Sequence, residues 1–236
     1  MVAASDIAAM GARSLCALVS VTAPAHCDLD GFGRGVAEAS TSLDCPVIGG
    51  DLSGGPVLAA SVTVLGTLPA DGRPALRRSG ARPGDALLVT GSLGSSAAGL
   101  RLLRAGTDAP ARLVAAYLRP VAPMAQGLAA RRGGATAAID VSDGLAGDLR
   151  HLSAASGVGV TLDHVPVADG ATLEEALGGG EDYALLVAAS DPDRLGAAFA
   201  EADLPEPVCI GRCTDRPGHL LLHGARLGEA GWRHQF

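Results

Sequence analysis

Along this 236-residue chain the spacing of apolar and polar positions changes several times, and each change marks a new element. Ser5 reads as the cap of a short helix that ends near Gly11, with Asp6 in its first turn. Residues 16–22 are apolar and β-branched and predict a strand. Residues 28–43 have helical spacing that leaves Phe32, Val36 and Leu43 for one face. Residues 46–48 predict a short buried strand that ends at Gly49-Gly50-Asp51, and residues 57–68 a longer one. Pro69, Asp71, Gly72 and Pro74 then cluster as a linker.

Beyond the linker the period alternates again. Strands are predicted over 86–90, 135–139, 158–162, 183–188 and 208–210. Helices are predicted over 95–104, 109–117, 122–132, 143–155 and 191–202. The expected architecture is α+β with two domains of α/β type, residues 1–72 and 73–236. There is no internal repeat and no low-complexity tail.

Composition narrows the picture. Hydrophobic residues make up 48% of the chain but aromatics only 3%, so the core must be built from Ala, Val, Leu and Ile. A net charge of -7 argues against a nucleic-acid-binding surface, which needs clustered basic residues. All basic side chains other than histidine are arginines. The missing lysine excludes a Walker-type phosphate loop and Schiff-base chemistry. Cys16, Cys27, Cys45, Cys209 and Cys213 are odd in number and form no C-x-x-C pair, which points to free thiols. No signal-peptide pattern follows Met1, and no apolar run is long enough to span a bilayer. The expectation is a soluble, cytoplasmic protein.

The candidate chemistry is carboxylate chemistry. Asp6, Asp51, Asp140, Asp143 and the Glu181-Asp182 pair stand at predicted strand ends or helix starts, among small residues. Such oxygen-rich positions suit Mg²⁺, which takes one or two carboxylates together with phosphate and water oxygens. In Asp140-Val141-Ser142-Asp143-Gly144 two carboxylates and a hydroxyl meet at a strand-to-helix junction. Capping by Ser142 or Asp143 accounts equally well for that segment. The Ile48-Gly49-Gly50-Asp51 and Gly91-Ser92-Leu93-Gly94 segments read either as ligand-facing loops or as plain glycine turns. Arg77-Arg78 reads as a polyphosphate clamp or a solvated pair, and none of the six histidines has zinc-ligand spacing.

Taken in order, these segments resemble the thiamine-monophosphate kinase family, part of the superfamily that includes aminoimidazole ribonucleotide synthetase. Ser5-Asp6-Ile7-Ala8-Ala9-Met10-Gly11-Ala12 resembles the family's S-D-L-A-A-M-G-A, and Ile48-Gly49-Gly50-Asp51 its I-G-G-D. Arg78-Ser79-Gly80-Ala81, Thr90-Gly91-Ser92-Leu93-Gly94, Tyr117-Leu118-Arg119-Pro120, Ile139-Asp140-Val141-Ser142-Asp143-Gly144 and Gly179-Gly180-Glu181-Asp182-Tyr183 continue the series.

The resemblance implies phosphoryl transfer from ATP to thiamine monophosphate, giving thiamine diphosphate. It implies Asp6, Asp51, Asp140 and Asp143 as Mg²⁺ ligands, and Gly50, Asp51, Arg78 and Ser142 at the ATP. Glu181 and Trp232 are implied at the substrate, in a homodimer. Three residues depart from the family pattern: Leu52 for a hydroxyl residue, Ser95 for an aspartate and Arg233 for an acid. The family also carries an N-terminal segment with G-D-D-A and T-D-x-x-x-x-G-x-H before its S-D-L-A-A-M-G-A. Its absence here leads to the expectation of a start assigned too late, an exposed sheet edge and a partial Mg·ATP cleft. A non-catalytic nucleotide-binding fragment and a related ATP-dependent synthetase are the alternatives.

Overall fold

The computed structural model describes residues 1–106, 110–228 and 230–231. Two sheets organise the chain. The first is three-stranded, with β1 (Arg13–Ala23) between β2 (Val47–Gly54) and β3 (Ala59–Thr67). β1 runs parallel to β2 and antiparallel to β3. Helix α1 (Val2–Ala9) precedes β1, and α2 (Leu29–Ser42) forms the β1–β2 crossover. Asp28 caps α2 by accepting the Gly31 N–H at 2.8 Å.

The second sheet has seven strands. They are β4 (Ala86–Val89), β5 (Ala137–Asp140), β6 (Gly159–Leu162), β7 (Leu185–Ala189), β8 (Val208–Thr214), β9 (Leu220–Leu222) and β10 (Ala225–Arg226). Their order is β10-β9-β6-β8-β4-β7-β5, antiparallel except for β6 beside β9. The sequence reading missed β9 and β10, which are short and lack a repeated alternation, and it stopped β8 at residue 210. The helices are α3 (Ser95–Ala105), α4 (Ala111–Leu118), α5 (Met124–Gly133), α6 (Leu145–Ser156), α7 (Leu173–Gly178) and α8 (Pro192–Ala200).

The apolar runs of β4, β5 and β7 follow from burial on both sheet faces. Leu87, Val89, Ala137, Ile139, Leu186 and Ala188 point into one core, shared with Leu145, Leu149 and Leu152 of α6. The alternate residues Leu88, Ala138, Leu185 and Val187 point into a second core with Ala129 and Ala130 of α5 and Leu195 and Phe199 of α8. Aliphatic side chains dominate both, joined by Cys213 in the first and Phe199 in the second.

The small sheet is built differently. Every residue of β2 is exposed, and no residue of α2 is buried. Phe32, Val36 and Leu43 face Val19, Val62 and Val64 across an apolar cavity of about 420 Å³. The large exposed residues Val47, Ile48, Leu52, Val57, Leu58, Val62 and Leu65 cluster on this sheet and its flanks. Helix α1 is the bridge between halves: it packs on β1 and β3 and also on α5 and β5. All five cysteines are free thiols. No helix among the described residues is long and apolar enough to cross a membrane.

Candidate active site

Ser5 and Asp6 place α1 at the candidate site. Ser5 lies in the middle of α1, not at its N-cap as the sequence suggested, and it is fully buried. Its hydroxyl donates to Oδ2 of Asp140, the last residue of β5. Next to it, Asp6 lines a cavity of about 360 Å³ with Met10, Arg77, Arg78, Ser79 and Asp140. Loss of water, then the Asp140 charge, pushes the Asp6 carboxyl above its ordinary pKa, while Arg78 opposes the rise. Two carboxylates from different halves of the chain therefore crowd one groove beside a guanidinium.

The turn that follows Asp140 is fixed from both sides. Val141 N–H donates to the Ala184 carbonyl at 2.8 Å, and Tyr183 N–H returns a bond to Val141 at 2.9 Å. Glu181 N–H donates to the Ser142 carbonyl at 2.8 Å. Glu181 and Tyr183 hold φ values of 57° and 54°, in the left-handed region that non-glycine residues seldom occupy. This places strain where the resemblance predicts substrate contact. Neither Ser142 nor Asp143 caps α6, which overturns the capping alternative for that segment: the N-cap is Gly144, with no side-chain bond. The Asp143 N–H instead donates to Oδ2 of Asp148 at 3.1 Å. Burial pushes the Asp148 carboxyl up to about 7. Burial, then Glu181, Asp140, Asp143 and Asp6, pushes Tyr183 up to about 12, so its hydroxyl keeps its proton.

Other predicted positions sit apart from this groove. Glu181 lines a separate cavity of about 310 Å³ with Ser92, Ser95, Arg119 and Asp182. Arg119 is already paired with Glu38 of α2 at 2.6 Å. In the Gly91–Gly94 loop the Leu93 N–H is bonded to the Pro166 carbonyl and the Gly94 N–H to Asp182 at 2.6 Å, and Asp182 also accepts the Ser96 N–H at 3.2 Å. Asp182 is thus an anchor for α3.

Asp51 is not at a strand end: β2 continues through it to Gly54, opposite Ser20 of β1. It is exposed and lines a cavity with Val19, Phe32, Gly50 and Leu52, not the one holding Asp6 and Asp140. Gly50 is required by β1 itself, since a Cβ there would stand 1.8 Å from the Val19 carbonyl oxygen. Trp232 lies outside the described residues.

Comparison with known proteins decides what this constellation belongs to. Residues 1–68 match the AIR synthase related protein N-terminal domain, and residues 82–222 match its C-terminal domain. The thiamine-monophosphate kinase of Mycobacterium tuberculosis is 38% identical over 240 residues, covering 98% of this chain and 71% of that protein. The Halobacterium salinarum enzyme of the same name is also 38% identical, covering 98% and 80%. The chain belongs to the thiamine-monophosphate kinase family. A solved kinase of that family, AaThiL complexed with AMPPCP and TMP, superposes with a TM-score of 0.86 at 30% identity, covering 98% of this chain and 77% of that one. The member of this kinase family from Stenotrophomonas maltophilia gives 0.83 at 34% identity, covering 94% and 76%.

The chain is therefore an enzyme of the kinase class, on an AIR synthase-like α+β fold. The groove's carboxylates are those of Asp6 and Asp140, with Asp143 on the turn that follows β5. That chemistry fits Mg²⁺, which completes its shell with phosphate and water. Among the described residues no three His, Cys, Asp or Glu side chains converge on one point. Sequence reasoning missed Ser5 as the strut of Asp140, Asp148 behind Asp143, and His151, whose Nε2 is 4.0 Å from Asp143. The only sequence sign of Asp148 was an acid among the apolar positions of a helix's core face.

Proposed function

We propose that this chain transfers the terminal phosphoryl group of ATP to thiamine monophosphate, giving thiamine diphosphate and ADP. The observation that carries the reading is the Asp6–Asp140 groove, braced by Ser5 and flanked by Arg78. The AaThiL complex with AMPPCP and TMP supports both substrates.

The acceptor is a phosphate whose second pKa is about 6, so its oxygen is largely ionised at neutral pH and needs no strong base. The difficulty is repulsion between two anionic reactants. Arg78 supplies a fixed positive charge at the groove, and the left-handed 180–183 segment aims Glu181 from the same framework as Asp140 and Asp143. Asp6 and Asp140 would hold Mg²⁺, with Asp143 beside them on the following turn; Asp51, which the resemblance also implies as a ligand, lines a different cavity on β2. A metal held there would supply charge neutralisation at the phosphates. Gly50 and Ser142 would lie at the nucleotide, and Trp232 at the thiamine moiety.

The proposed division is residues 1–72 for nucleotide and metal and 73–236 for closing over substrate. The exposed apolar face of β2 and β3 supports a homodimer, testable by sedimentation. The lack of a long apolar helix among the described residues fits a cytoplasmic enzyme, which fractionation would check.

The assay is formation of thiamine diphosphate from the monophosphate with ATP and Mg²⁺. Turnover that Asp140→Ala abolishes supports the reading. ATP binding without turnover favours the non-catalytic alternative. ATP consumption with another acceptor, and none with thiamine monophosphate, favours the synthetase.

A further inference from the structure

Asp148 is a buried carboxylate for which phosphoryl transfer has no direct use. It is 1% exposed, in the first turn of α6, beside core-facing Leu145, Leu149 and Leu152. An acid at such a position costs free energy unless its oxygens are used. They are used on the turn: Oδ2 accepts the Asp143 N–H at 3.1 Å, and the Ser142 backbone also favours the ionised carboxylate. On the opposite side, Glu181 and Tyr183 donate to the Ser142 and Val141 carbonyls. The turn carrying two candidate metal ligands is thus pinned between a buried acceptor and the strained 180–183 segment. We infer that Asp148 is a positioning residue, which holds the 141–144 turn so that Asp140 and Asp143 present their carboxylates to MgATP together. This rests on the proposed function for its purpose, but not for its geometry.

Two variants of the full chain test it, Asp148→Asn and Asp148→Leu. Asn keeps an acceptor for the Asp143 N–H. Leu has nearly the same shape and removes the buried charge, so the fold survives, but the Asp143 N–H loses its partner. Hydrogen exchange of residues 141–145 is measured without ligand, and MgATP binding by calorimetry. For Leu, the expected result is faster exchange confined to that turn and MgATP binding about tenfold weaker, the size usual for loss of a group that orients metal ligands. For Asn, both readouts stay near wild type.

Wild-type exchange or wild-type MgATP binding in Asp148→Leu overturns the proposal. So does Asn behaving like Leu, or Leu failing to fold while Asn behaves as wild type, which makes the residue merely structural. Wild-type protein that binds no MgATP overturns the proposed function instead, and the exchange measurement still decides whether Asp148 holds the turn.

Discussion

The hydroxyl of Ser5 reaches across 135 positions of sequence to bond the carboxylate of Asp140. Both groups are buried, Ser5 fully and Asp140 at the wall of the cavity of about 360 Å³. The bond ties α1 to β5 and fixes where Asp140 points. Ser5→Ala leaves Asp140 short of a donor and is expected to cost about 1–3 kcal/mol, the penalty for an unsatisfied buried group, more where it is charged. Denaturant unfolding followed by circular dichroism checks this; an unchanged midpoint would remove Ser5 from the account.

Asp6 stands in the opposite energetic position. Loss of water and the Asp140 charge hold its carboxyl pKa above the ordinary value. An acid whose folded pKa is raised is penalised by folding, so the penalty builds up as pH rises from the ordinary aspartate value to the raised folded one and stays constant above it. Asp6→Asn removes the charge. It is expected to raise the melting temperature at pH 7 while weakening MgATP binding, a trade typical of a site held together by its ligand. A melting curve and a binding titration on the same sample test both halves; a variant with a lower melting temperature contradicts the first.

How much of this was legible in the sequence depends on the range of the interaction. Strands β4, β5 and β7 were readable because burial on both faces leaves an unbroken apolar run, and the helices other than the short α7 were placed to within a few residues by period. Asp6, Asp140 and Asp143 were chosen as site candidates by residue type and by resemblance, and the fold brings Asp6 and Asp140 to one cavity. Ser5 was misread because a serine before an acid is a local capping signal, whereas its partner lies in the other half of the chain. Asp51 was misplaced because Gly49-Gly50 signals a turn, while β2 continues through both glycines on the strength of pairing with β1. Asp182 could not be told from Glu181 by sequence: both line one cavity, but the Asp182 carboxylate is spent on the amides at the start of α3.

The junction between the two halves depends on close backbone approach. A Cβ added at Gly127 of α5 would stand 1.9 Å from the Ala8 carbonyl oxygen of α1. Backbone cannot retreat from that contact as a flexible side chain can. Gly127→Ala must therefore push α1 off α5, disturbing the Ser5–Asp140 bond, despite alanine's better helix propensity. The expected loss is about 1–3 kcal/mol, together with weaker MgATP binding. A stabilised variant with intact binding would mean that α1 is free to shift.

The last prediction concerns pH. Glu175 serves twice at the start of α7: its carboxylate accepts the Thr172 N–H at 2.8 Å, completing a capping box, and pairs with Arg101 of α3 at 2.6 Å. The Arg101 bond is the chief reason its pKa lies below the ordinary value, with the Thr172 contacts adding and partial burial opposing. For an acid with a depressed folded pKa, the stabilisation is complete above the unfolded value and is lost as pH falls through the folded one. Glu175→Gln should therefore destabilise the protein at pH 7 by about 1 kcal/mol, because the pair is partly solvent-screened. The difference between wild type and variant should shrink as the pH falls below the ordinary glutamate value of about 4.3 and through the lower folded one, below which Glu175 is neutral in both states. Urea unfolding of both proteins at several pH values measures this, and a difference that stays constant down to pH 3 would show that the charge of Glu175 contributes nothing.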